Sequence, residues 1–217
     1  MSNRQNLNPG HNLKYHIMND SILNHFKWIN QPEKFELKND HLIIQTEPGT
    51  DLWQKTFYGF QNDNAPAFLI DRKGDFTFRV RVLFDEANHL YDQCGLLMYH
   101  DSENWVKVSV EYENEELARL GSVVTNLGYS DWATTDISAS VRDMWYRFSR
   151  RKQDFYIESS TDGKEFQQMR MLHMHIPMET ARIGVYACSP LKSSFKADFS
   201  EFRIGSCEWP DHANKTG

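Results

Sequence analysis

The 217 residues are 40% hydrophobic, 13% aromatic and 25% charged, with a formal net charge of -6. That is material for one large domain without need of a second. No apolar run approaches the roughly 20 residues that cross a bilayer, and the acidic balance argues against a nucleic-acid partner, because phosphate binding needs clustered Lys and Arg.

Residues 1–25 read as a polar N-terminal extension. Its first twenty residues include Pro9-Gly10 where a secretory leader needs a continuous apolar stretch, so a cytoplasmic location is expected. Three cysteines, Cys94, Cys188 and Cys207, are odd in number and far apart, which suits reduced thiols better than a disulfide framework.

From there the signal is alternation with period two, which sends successive side chains to opposite faces of a strand. Strands are predicted over 42–46 and then 76–84, where Phe76, Phe78, Val80, Val82 and Phe84 alternate with Thr77, Arg79, Arg81 and Leu83. Further strands are predicted over 93–99 and over 105–112, where Val106, Val108, Val110 and Tyr112 alternate with Trp105, Lys107, Ser109 and Glu111. The segments 119–126, 145–151, 155–160, 183–188 and 195–204 complete the set. Glu113 to Glu116 reads as an exposed connection, and Asp162-Gly163 as a hairpin turn needing positive φ. The basic cluster Arg147, Arg150, Arg151 and Lys152 reads as a solvated strand end. A sheet with one apolar face must bury it against another, so these elements predict an all-β sandwich or jelly roll of two antiparallel sheets over 26–206, with 207–217 as a surface tail.

Several segments together resemble a known family. They are Thr50-Asp51-Leu52-Trp53-Gln54-Lys55-Thr56-Phe57-Tyr58-Gly59-Phe60, Gly74-Asp75-Phe76-Thr77-Phe78, Leu90-Tyr91-Asp92-Gln93-Cys94-Gly95-Leu96, Glu103-Asn104-Trp105-Val106-Lys107, Val123-Val124-Thr125-Asn126, Tyr129-Ser130-Asp131-Trp132, Ser149-Arg150-Arg151 and Ala187-Cys188-Ser189-Pro190. In order and spacing they resemble the regulation of enolase proteins, from about Phe26 to Ile204. The resemblance implies a concanavalin A-like lectin/glucanase fold, whose concave face carries ligand sites in relatives. It transfers no catalytic residue, and its name implies a metabolic-enzyme partner such as enolase. Fold alone does not settle function.

For chemistry, a sandwich glucanase needs two carboxylates flanking the scissile bond, and no Glu-x-Asp-x-x-Glu run is present. Glu111 and Glu113 share a face by parity, but Glu113 belongs to an acidic turn; the pairings left for Glu111 are with a residue distant in sequence, Asp92 or Glu158. His173 and His175 share a face without identifiable further ligands and read as a surface or packing pair. Cys94 and Cys188 read as buried, inert thiols. No metal or cofactor is expected.

A binding face is the stronger expectation. Trp105, Lys107, Ser109 and Glu111 point away from the valine side, and an aromatic platform beside polar groups suits a sugar ring, which offers C–H faces and a rim of hydroxyls. Trp53, Gln54, Tyr91, Asp92, Gln93, Asn126, Tyr129, Asp131 and Trp132 supply loop partners, and parity admits Arg151, with Trp145, Arg147 and Ser149, to the same face. The function expected is a non-catalytic binding or regulatory module for a carbohydrate or polyhydroxy metabolite. The alternatives are an interaction module for a metabolic enzyme and a glycoside-processing enzyme.

Overall fold

Side-chain parity and β-branching make the 106–110 run a strand with a valine face. The computed structural model, which describes residues 21–210, shows that parity. Val106, Val108 and Val110 lie between two sheets with Phe78, Val80, Phe148 and Ile157, whereas Trp105 belongs to a second apolar cluster on the other side of its own sheet.

A short 3-10 turn, Ile22–His25, is held by the Ser21 hydroxyl accepting from the Leu23 N–H, and it sets Leu23 into the core. The strands follow as β1 (Lys27–Ile29), β2 (Phe35–Lys38), β3 (His41–Gln45), β4 (Leu52–Gln54), β5 (Gln61–Asp63), β6 (Ala67–Lys73), β7 (Phe76–Leu83) and β8 (Gln93–Asp101). They continue as β9 (Asn104–Tyr112), β10 (Leu117–Asn126), β11 (Tyr129–Ser138), β12 (Asp143–Arg151), β13 (Asp154–Ser160), β14 (Gln167–His173), β15 (Thr180–Cys188) and β16 (Lys196–Gly205). The first sheet has the order β1-β6-β15-β8-β9-β10-β11 and the second β14-β13-β12-β7-β16-β3-β2, while β4 and β5 pair as a separate ribbon. All of these pairings are antiparallel. The result is the two-sheet jelly-roll sandwich that the alternation predicts.

Both predicted connections are where expected. Residues 113–116 join β9 to β10, and the 161–166 turn joins β13 to β14, with Gly163 at φ 69° and the Asp162 carboxylate accepting from the Lys164 and Glu165 N–H groups. Those backbone bonds to the charged form hold the Asp162 carboxyl down at about 2. Two glycines are structural necessities in the first sheet: a side chain at Gly95 or Gly184 would run into the backbone carbonyl of Val108 or Phe68.

The basic cluster departs from its reading as a solvated strand end. Arg150 is buried at 2% exposure, and its guanidinium donates to the carbonyls of Lys152, Gly74, Glu179 and Met178. It acts as a multidentate donor for loop carbonyls that no strand pairs, and burial lowers its pKa.

Candidate functional site

The antiparallel registers build the outward face of the first sheet in rows. One row runs Leu97, Lys107, Val123 and Trp132; the next Gly95, Ser109, Gly121 and Thr134; the next Gln93, Glu111, Arg119 and Asp136. Trp105, Lys107, Glu111, Gln93 and Trp132 are therefore brought to one face, as parity demands.

That face is not open throughout, and here the structure corrects the expectation of an exposed Trp105 platform. Trp105 is fully buried and Lys107 is buried at 4%. The cover is the segment carrying the β4–β5 ribbon: Leu52 and Ala65 pack with Trp105, Leu97, Val123 and Tyr186, and Trp53 rests against that cluster. Trp105 satisfies its indole N–H on the Ser102 carbonyl at 3.2 Å. Three polar ties pin the ribbon down. Lys107 Nζ reaches Asp51 Oδ1 at 3.1 Å, Tyr99 donates its hydroxyl to Asp63 Oδ2 at 2.8 Å, and the Gln54 N–H donates to Ser130 Oγ at 2.9 Å. Burial works to lower the pKa of the Lys107 ammonium, but Asp51 and the neighbouring negative groups outweigh it, and the pKa ends above its ordinary value.

Beyond the ribbon's edge the outward face carries a chain of polar side chains. Tyr186 donates its hydroxyl to Gln93 Oε1 at 2.9 Å, and Gln93 Nε2 donates in turn to Glu111 Oε2 at 3.1 Å and to the Tyr91 carbonyl at 3.2 Å. Glu111 keeps partial solvent access, yet burial pushes its carboxyl up to about 7 against the opposing pull of Lys107. Trp132, 46% exposed, lies on the same face; its indole lies over Gly121 and meets Trp53 edge to face at 6.5 Å. Tyr91, at φ 70°, is 39% exposed beside Gln93. The half-exposed Trp132 indole, the Glu111 carboxyl near neutrality and the Tyr91 phenol can together grip a small neutral polar molecule, with the buried Gln93 amide fixing Glu111 from behind.

The remaining expected site residues are placed elsewhere. Arg151 lies on the second sheet, where it donates to the Trp209 carbonyl, and Trp145, Arg147 and Ser149 share that sheet; none joins the face carrying Lys107. Asp92 is a buried clamp that accepts from Ser189 and Ser193 hydroxyls at 2.8 and 2.6 Å and from the His89 N–H at 3.1 Å. Asn126 ties the end of β10 to the 173–175 segment through the His173 carbonyl and the His175 N–H. Asp131 pairs with Arg170 at 2.7 Å at the sandwich edge. Gln54 is a buried residue of the ribbon itself, and Tyr129, 63% exposed, lies beneath the Lys55 ammonium, 5.5 Å from its ring.

The carboxylate pairings considered for Glu111 are not formed. Glu158 holds Arg147 in a bidentate pair at 2.6 and 2.7 Å on the second sheet, and Asp92 is committed to its clamp. Among the described residues no three of His, Cys, Asp or Glu converge as metal ligands. His173 contacts Asp154 at 2.5 Å and lies 5.7 Å, ring to ring, from His175. Burial pushes the thiols of Cys94 and Cys188 well up, leaving them poor nucleophiles. Sequence reasoning missed Tyr186 as a site residue because it sits in a strand whose neighbours are uniformly buried.

A family described as a protein of unknown function, DUF1349, matches residues 28–207. The chain belongs to the DUF1349 family. A curated relative, "Regulation of enolase protein 1" of Saccharomyces cerevisiae, is 32% identical over 180 residues, covering 82% of this chain and 87% of the relative. The crystal structure of a functionally unknown protein from Saccharomyces cerevisiae superposes with a TM-score of 0.79 at 30% identity, covering 85% of this chain and 97% of the other. A GH43 protein from Bacillus licheniformis, BlXynB, matches with a TM-score of 0.64 at 16% identity over 84% of this chain but only 37% of its own, a likeness of fold alone. No helix among the described residues is long and apolar enough to cross a membrane.

Proposed function

We propose that this DUF1349 chain is a non-catalytic binding and regulatory module whose ligand is a small carbohydrate or polyhydroxy metabolite, held on the outward face of the first sheet by Trp132, Glu111 and Tyr91. The observation that carries this reading is Glu111. A carboxyl kept near neutrality beside a primary amide and a half-exposed indole can donate or accept a hydrogen bond, which suits vicinal hydroxyls better than a charged ligand. On that face Glu111 acts as a hydrogen-bonding group, with Lys107 committed to Asp51 beneath the ribbon.

The test is a panel of mono- and oligosaccharides and polyols measured by calorimetry. One class should bind, and Trp132→Ala should weaken it about tenfold, equivalent to ~1.4 kcal/mol, without lowering the melting temperature, since the indole is half in solvent. Binding unchanged in Trp132→Ala, or no ligand across the panel, overturns the reading.

A second reading is favoured by the curated relative, whose name assigns it to the regulation of enolase. On this reading the module acts on a metabolic enzyme by direct contact. Binding of purified enolase to the full chain at physiological salt is the measurement, and absence of a complex removes enolase as the partner.

A further inference from the structure

The loop of the β4–β5 ribbon carries the most exposed aromatic group among the described residues. Phe57 is 96% exposed, Tyr58 68% and Phe60 37%, with Leu127 and Tyr129 of the adjacent β10–β11 turn at 59% and 63%. Large apolar side chains in that number at one tip mark an interaction surface rather than ordinary surface composition. The two turns form one platform because Lys55, at the ribbon's bend, reaches Glu103 at 3.4 Å and lies over the Tyr129 ring, while the Gly128 N–H donates to the Glu103 carbonyl at 2.9 Å.

The tip is also preorganised. The Lys55 N–H donates to the Phe60 carbonyl at 2.8 Å, the Gly59 N–H to the Lys55 carbonyl at 2.9 Å, and Trp53 Nε1 to the Thr56 carbonyl at 3.1 Å. Tyr58 stacks on Phe60 at 5.8 Å, and Phe57 meets Tyr58 edge-on at 5.5 Å. Phe57 holds φ 79°, a conformation that bulky residues avoid and that persists only where its surroundings impose it. Aromatic anchors fixed in this way lose little conformational freedom on docking.

Charge selects the occupant. Around the platform stand Glu103, Asp101 and Asp131, with side chains 57, 50 and 72% exposed, and the cations beside them are the more covered partners: Lys55, 34% exposed, is committed to Glu103 and Arg170, 19% exposed, to Asp131. An acidic rim on a chain of net charge -6 is repelled by anionic lipid surfaces. It is equally unsuited to a symmetric contact with a second copy, which would set like charges against each other.

We infer that the Phe57-Tyr58-Phe60 tip is a docking surface that inserts into an apolar cleft rimmed by Lys and Arg on a folded partner protein. This inference rests on the reading above that the chain contacts another protein, and not on that protein being enolase or any metabolic enzyme.

The test places the photoreactive analogue benzoylphenylalanine at position 57 of the full chain, with a control at position 36 on the far edge strand. Irradiation in native lysate should give an adduct at 57, and not at 36, to one folded protein, with the modified residue in a Lys/Arg-rimmed apolar cleft. Affinity of that purified partner should fall at least tenfold in Tyr58→Ser, and in Phe57→Gly, which relaxes the left-handed backbone and so should leave the melting temperature at or above wild type. Adducts only to a second copy, labelling no stronger than at position 36, an adduct on an acidic surface, or co-sedimentation with phosphatidylserine vesicles would each overturn the inference. An adduct in the right cleft of a protein other than a metabolic enzyme upholds the docking surface and removes the enzyme reading instead.

Discussion

In urea at pH 7, Asp51→Ala is expected to lose about 3–5 kcal/mol of unfolding free energy, the range for removing one partner of a buried ion pair. The Lys107 ammonium is 4% exposed and Asp51 Oδ1, at 3.1 Å, is its hydrogen-bonded counter-charge. With the carboxylate gone, the ammonium keeps only the more distant Glu111 carboxyl as a counter-charge, among Leu52, Leu97, Val123 and Tyr186. The cost is the stranded charge rather than the lost attraction, so Asp51→Leu combined with Lys107→Met should recover most of the stability. A loss below about 1 kcal/mol for Asp51→Ala would show that water reaches Lys107 and that the ribbon does not seal it, since exposed pairs contribute only that much.

The second large effect concerns pH. Folded Glu111 holds its proton up to about 7, against an ordinary value of 4.5. Between those values the folded protein binds more protons than the unfolded chain, so stability is greatest at the acid end of the window, falls as pH rises through it, and levels off above about 7. A tenfold difference in proton affinity is worth about 1.4 kcal/mol, which bounds the fall at about 3 kcal/mol. Glu111→Gln has no charge to desolvate and retains a hydrogen-bonding group beside Gln93. It should therefore flatten this part of the curve and be more stable than wild type at pH 8. Urea titrations at pH 5 and pH 8 decide the matter: if wild type and variant decline in parallel, the pH dependence belongs to other groups.

Much of the fold was legible in the chain because alternation reports directly on sidedness. The valines of β9 and the phenylalanines of β7 needed no tertiary information to be assigned to the interior. Alternation is silent where both faces are covered or neither is. Strand β6 begins Ala67-Phe68-Leu69, buried on both sides, and so shows no period; β11 is an edge strand, mostly exposed on both, and shows none either. The candidate site was half legible for a related reason. Parity placed Trp105 on the outward face correctly, but parity describes one sheet and cannot report that residues about fifty positions earlier fold back across it. The compositional clue lay elsewhere. Phe57, Tyr58 and Phe60 lie in a short run that also holds Gly59 and reads as a turn, where so much aromatic surface has no core to enter.

The far end of the described chain adds a practical consequence. Glu208 donates its N–H to Thr77 Oγ1 at 2.7 Å and sets its carboxylate 3.3 Å from Arg147, and Trp209 stacks on Tyr156 at 5.4 Å, all on the outward surface of the second sheet. Glu208 and Trp209 therefore lie on the side remote from Trp132 and from Phe57. A sensor chip coupled through a chain truncated at residue 210 and tagged there would present both surfaces to the flowing analyte, whereas one coupled through random lysine chemistry would modify Lys55 and blunt one of them.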